Sequence, residues 1–144
     1  MTGANTSHVD AVRRAVDALN RGDVDTYGAA FHPSCMRWSS GSDEAVPAAA
    51  VLDTLRELHR CFAGFRLHAD LLIGDGKYVV ARWRTTGKHV EEFASLPATQ
   101  REVSIPTCEV YELDDEGRIV ATWNYGDPNE LVRQLTAEPA RSHE

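Results

Sequence analysis

The hydrophobic period changes once along this 144-residue chain, and that change limits the fold classes open to it. Up to about residue 62 the apolar residues recur every three or four positions: Val9, Val12, Val16 and Leu19, then Val24, Tyr27 and Phe31, then Val51, Leu55, Leu58 and Phe62. Such spacing puts each set on one face of a helix. Gly22 suits a left-handed helix stop and Asp23 a cap for the second helix, which His32-Pro33 ends. Ser7 with Asp10 resembles a capping box, and Pro47 opens the third helix. From Phe65 the period is two. Phe65, Leu67, Ala69, Leu71 and Ile73 alternate with Arg66, His68 and Asp70, and Gly74-Asp75-Gly76 turns the chain into a strand over 77–86. On that strand Val79, Ala81 and Trp83 share one side, with Val80, Arg82 and Arg84 on the other. Strands over 101–113 and 118–125 follow, joined by Asp114-Asp115-Glu116-Gly117, and a closing helix runs from Pro128 to about Thr136. Helices first and antiparallel strands after them specify an α+β fold.

Nothing divides the chain. It has no linker and no internal repeat, so a single domain over 1–144 is expected, with a disordered tail from about residue 138. The net charge of -7, without a basic cluster, argues against nucleic acid, whose phosphates call for lysine and arginine. No apolar run nears the roughly 20 residues that span a bilayer, and no basic-then-apolar leader opens the sequence. No membrane contact and a cytoplasmic location are therefore expected. Cys35, Cys61 and Cys108 fit neither a zinc spacing nor a disulfide framework, and the six histidines form no i, i+4 pair. Neither a glycine-rich phosphate loop nor a serine elbow is present. No metal and no cofactor are expected.

The residues that can carry chemistry lie mainly in the strands. Asp127 stands where the last strand meets the last helix, and two roles compete for it. As a helix cap it would accept backbone N–H groups and stay ionised. As a pocket acid it would need an apolar wall, for which Trp123 and Tyr125 share its strand parity. Glu112 shares parity with Cys108 and Val110, and is a proton carrier if that face is a cavity or a solvated glutamate if it is the exterior. His89 ends a strand ahead of a loop. His68 and Asp70 alternate with an apolar face and read as exterior residues. Trp38, Trp83, Trp123 and Tyr125 can stack on a flat ligand or pack in the core. Arg82 and Arg84 can bind a carboxylate or pair with neighbouring strands.

Taken in order, these residues resemble the SnoaL-like polyketide cyclases, within the superfamily of cone-shaped domains that includes nuclear transport factor 2 and ketosteroid isomerase. The resemblance rests on Val12-Arg13-Arg14 through Asn20-Arg21-Gly22-Asp23, on His32-Pro33, and on Gly87-Lys88-His89 with Glu92-Phe93 and Pro97-Ala98-Thr99. It continues through Gly117-Arg118-Ile119-Val120, Trp123, Asp127 and Arg133-Gln134-Leu135. It implies a cone-shaped α+β barrel, with N-terminal helices packed in a curved antiparallel sheet, and a homodimer of such cones, each with an apolar pocket. It implies Asp127 as the catalytic acid/base, assisted by His89 or Glu112, and a pocket lined by Leu19, Trp38, His68, Trp83, Phe93, Trp123 and Tyr125. The chain departs from the family at three places. The family's active-site tyrosine falls on Leu19, its assisting histidine falls on Glu112, and its Pro-Thr-Gly turn reads Ala98-Thr99-Gln100. The implied activity is cofactor-independent ring closure of a hydrophobic polyketide, aldol-type or shape-driven, in bacterial secondary metabolism. The alternatives are a hydroxylase-like, isomerase or epoxide-opening enzyme on the same scaffold, or a non-catalytic small-molecule-binding module.

Overall fold

A computed structural model describes residues 4–138; the greater part of the expected tail lies outside them. The elements run α1 (Ala4–Asn20), α2 (Val24–Ala29), β1 (Phe31–Ser39), β2 (Val46–Pro47), α3 (Ala48–Cys61), β3 (Phe62–Asp75), β4 (Tyr78–His89), β5 (Glu102–Leu113), β6 (Ile119–Tyr125) and α4 (Glu130–Thr136). This is the expected α+β architecture, with the helices held against one face of a curved six-stranded sheet of order β2-β1-β6-β5-β4-β3. β3, β4, β5 and β6 form a continuous antiparallel run. β1 closes onto β6 in parallel, so the sheet is mixed.

Local chemistry explains most boundaries. Gly22 takes the left-handed φ of +82° that ends α1, and Asp23 caps α2 by accepting the Thr26 N–H at 3.1 Å. Pro47 precedes α3 with an extended ψ of 152°. Gln100 adopts φ +62°, so the turn survives where a glycine is missing.

Several expectations need correction. α1 begins at Ala4, ahead of the Ser7–Asp10 box, so that pair does not mark its start. α2 ends at Ala29, short of Phe31 and His32-Pro33, which belong to β1 instead; Pro33 falls in a break of the β1–β6 register between Phe31 and Met36. There it owes the ladder no N–H. Phe62 ends the helical stripe in sequence but opens β3 directly after α3. α4 starts at Glu130 rather than Pro128, with Asn129 as its cap.

The main core joins Val12, Val16 and Leu19 of α1, Val24 and Tyr27 of α2, and Val79, Ala81, Trp83, Tyr111, Leu113 and Ile119 of the sheet. A second cluster, Cys61, Phe62, Phe65, Val103 and Leu135, seals the end next to α4. Between them the helices do not fill the sheet's concave face. Register shifts in β3 at 63/66 and 69/71 bend that edge over the gap.

Candidate active site

The gap is a cleft of about 390 Å³ between α3 and the inner sheet face. Its walls are mostly apolar: Leu19 from α1, Val51, Leu55 and Leu58 from α3, and Phe65 and Leu67 from β3. α3 supplies its wall because its 3.6-residue apolar stripe spans the gap between α2 and the sheet. The polar groups come from the opposite side, namely Tyr27, Arg37, Ser39, Glu109, Tyr111 and Asn124. Strand register gathers them. Glu109 lies across from Asn124, Asn124 from Ser39, and Arg37 from Thr122, so adjacent strands present them on one face.

Glu109 is the one carboxylate among the described residues lining this cleft. Asn124 Nδ2 donates to its Oε1 at 2.9 Å. Burial pushes its carboxyl above the ordinary value of 4.5, while the Arg37 charge and hydrogen bonds from Asn124 and Thr122 pull the other way without overcoming it. Burial, then the nearby Glu109 carboxylate, likewise raises the Tyr27 and Tyr111 hydroxyls. Trp83 Nε1 donates to the Tyr111 hydroxyl at 3.0 Å, leaving that hydroxyl's own proton free to donate. Arg37 faces Glu109 without an ion pair within 4.0 Å, and its Nε is buried with no hydrogen-bond partner among the described residues. Next to this group, burial and then the Glu109 charge push the Cys35 thiol up to about 11, which keeps it protonated.

The residues expected to act are distributed differently. Asp127 is half-exposed and outside the cleft lining. Its Oδ1 accepts the Asn129 N–H at 2.9 Å, and its Oδ2 pairs with Arg133. That backbone N–H, then the Arg133 guanidinium, hold its carboxyl below the ordinary 3.8. Glu112 projects from the outer sheet face and pairs with Lys77 at 3.2 Å. The cavity face of β5 is therefore the one carrying Glu109, not the Glu112 face. His89 is fully buried in the second cluster, neither in solvent nor at the cleft mouth. It stacks on Phe62 at 5.1 Å and its Nδ1 accepts the Thr99 N–H at 3.2 Å.

Of the expected wall, Leu19 does line the cleft. Trp83 is buried behind it in the main core. Phe93 packs edge-on against Phe62 at 5.5 Å in the second cluster. His68 bonds the Thr86 hydroxyl at 2.9 Å and faces a separate surface groove with Asp17 and Arg84. Trp38 and Trp123 lie side by side in register on the outer sheet face, with Tyr125 further along. They give no wall to the cleft. Arg37, Glu109 and Asn124 had no place in the sequence reading. One signal did exist for Glu109: it shares parity with Tyr111 and Leu113, and antiparallel pairing sets it opposite Ala81, on the apolar side of β4.

Among the described residues no three His, Cys, Asp or Glu side chains converge as metal ligands, and no helix is long and apolar enough to cross a membrane. Solved structures share the fold. AclR, a candidate hydroxylase from Streptomyces galilaeus, superposes with a TM-score of 0.83 at 22% identity, over 93% of this chain and 98% of its own. A candidate SnoaL-like polyketide cyclase from Jannaschia sp. gives 0.79 at 20% identity, over 94% and 95%. An LEH-like epoxide hydrolase from M. tuberculosis gives 0.69 at 22% identity, over 92% and 91%. Comparison with curated protein sequences finds no significant match. The family model of the SnoaL-like polyketide cyclases matches residues 9–135, nearly the whole chain, and the protein belongs to that family of small enzymes.

Proposed function

We propose that this protein is a cofactor-independent cyclase that closes a ring in a hydrophobic polyketide intermediate, with Glu109 rather than Asp127 as its proton carrier. The observation carrying this reading is a single carboxyl of raised pKa set in an open, mostly apolar cleft. A general acid/base works best when its pKa lies near the working pH, and burial moves Glu109 in that direction. The cleft volume falls within the roughly 300–1,000 Å³ range of small-molecule sites. A poly-carbonyl chain folded there has its reacting carbons held together, which supplies part of the barrier before any proton moves.

In the step, Glu109 removes a proton from the carbon between two carbonyls, and the C–H electron pair becomes an enolate. The enolate carbon attacks a second carbonyl of the same chain. A C–C bond forms as that C=O π bond opens to an alkoxide, which recovers the proton from Glu109. Asp127 holds the turn into α4. A relay that opens an epoxide through two acids and an arginine lacks its second acid in this lining.

The reading places the enzyme in the cytoplasm of a secondary-metabolite producer and pairs two copies through the outer sheet face. Met36, Trp38 and Tyr125 leave 37%, 43% and 52% of their surface exposed there. The test is ring closure of a soluble aryl β-keto ester bearing a pendant ketone. Glu109→Gln should lower turnover by about 10²–10⁴, while Asp127→Asn, which keeps the turn's acceptor, should stay close to wild type. Unchanged turnover in the Glu109 variant would overturn the proposal.

A further inference from the structure

Arg37 is the group in the cleft that the proton-transfer chemistry leaves unused. It projects inward from β1, in register with Thr122, and its Nε–H has lost water without gaining a partner among the described residues. Burying an ionised donor unsatisfied is costly, and the usual remedy is a salt bridge. An acceptor is at hand, for Glu109 lies close enough to feel the Arg37 charge. Yet no ion pair forms: β6 runs between the two strands, and its Asn124 donates to the carboxyl instead. The two groups are thus kept apart across the cleft floor. Around Arg37 the remaining polar groups are also donors in waiting: the Tyr111 hydroxyl already accepts from Trp83 and has its proton to give.

We propose that Arg37 is an oxyanion-holding, specificity-determining residue, and that the cleft selects substrates presenting two coplanar oxygens that share one negative charge, foremost the enolate of a 1,3-dicarbonyl. A guanidinium meets such a pair of oxygens through parallel N–H donors, as it meets a carboxylate. Once Glu109 has taken the substrate's proton it is neutral, so it does not repel the enolate that Arg37 holds. The identity of the anion rests on the ring-closure reading, but its binding is measured without turnover.

The probe is 2-phenyl-1,3-indandione, a planar enolate at neutral pH, against its 2-methyl derivative, which cannot ionise. Titration calorimetry at pH 7.5 should show wild type binding the enolate about tenfold to a hundredfold tighter than the methylated diketone, the span expected of a charge-assisted hydrogen bond. Arg37→Gln should abolish that preference, lowering the affinity for the enolate far more than that for the methylated compound. Arg37→Lys, which keeps the charge but not the fork, should restore part of it. No preference in wild type, or a preference that survives in Arg37→Gln, would overturn the assignment. Wild type decides the first arm alone, so poor folding of a variant does not remove the test. A preference for the enolate without ring closure of the β-keto ester would sink the cyclase reading and leave Arg37 in its role; closure without the preference would do the reverse.

Discussion

Glu109 and Asp127 are carboxylates near opposite ends of one functional problem, and their surroundings divide them. For Glu109 the largest influence is lost water, which favours the neutral acid. For Asp127 it is a donated backbone N–H, which favours the anion. The signs follow from linkage. A carboxyl whose folded pKa is raised contributes its stability below the unfolded value, here 4.5, and loses it as pH climbs through the folded pKa. One whose pKa is lowered contributes above 3.8 and loses it as pH falls. The two carboxyls are therefore displaced in opposite directions, Glu109 upward and Asp127 downward. The rival roles of Asp127 were both readable from Pro128 and the strand–helix junction. Glu109 was not, because both faces of its strand carry glutamate, Glu109 on one and Glu102 and Glu112 on the other, and only the pairing with Ala81 says which face meets the helices.

At the scale of elements, periodicity located α1, α3 and the β3–β6 run, since each buries one continuous stripe or face. It failed at β1. His32-Pro33 reads as a terminus, and only the register break around Pro33 lets a strand accommodate it. Losing β1 from the reading also lost Arg37. One clasp between elements was equally hidden: the Asn20 side chain accepts the Leu67 N–H at 2.8 Å and donates to the Leu67 carbonyl at 2.9 Å. It ties the end of α1 to β3 between that strand's two register shifts, beside the cleft wall. Asn20→Ala should therefore cost about 1–3 kcal/mol in urea unfolding, because both backbone groups lose their partner in a part-buried place. A loss below about 0.5 kcal/mol, the scatter of ordinary surface changes, would show that the clasp does not hold the strand.

At the scale of the whole molecule, the sheet does two jobs with its two faces. The concave face is only partly covered by helices and keeps the cleft; the convex face leaves Met36, Trp38 and Tyr125 exposed, with Trp123 half-buried beside Trp38. Contiguous exposed apolar patches mark contact surfaces, and the proposed dimer would use this one. Sedimentation equilibrium at micromolar concentration should give a dimer, and Trp38→Lys should weaken it at least about tenfold by putting a charge into a desolvated interface; a wild-type monomer would contradict the pairing. The family and the cone were legible because the matching residues are spread along the chain in order. The site was less legible because its members come from four separate elements, brought together only by sheet register. A single carboxyl sits in that cleft with its proton held above the ordinary range. Carboxyl-labelled glutamate NMR across pH 3–9 measures it directly. One resonance should titrate above the others and vanish in Glu109→Gln, a variant that should also gain stability over wild type as pH rises through that midpoint. A Glu109 resonance titrating with the solvent-exposed glutamates would contradict the account.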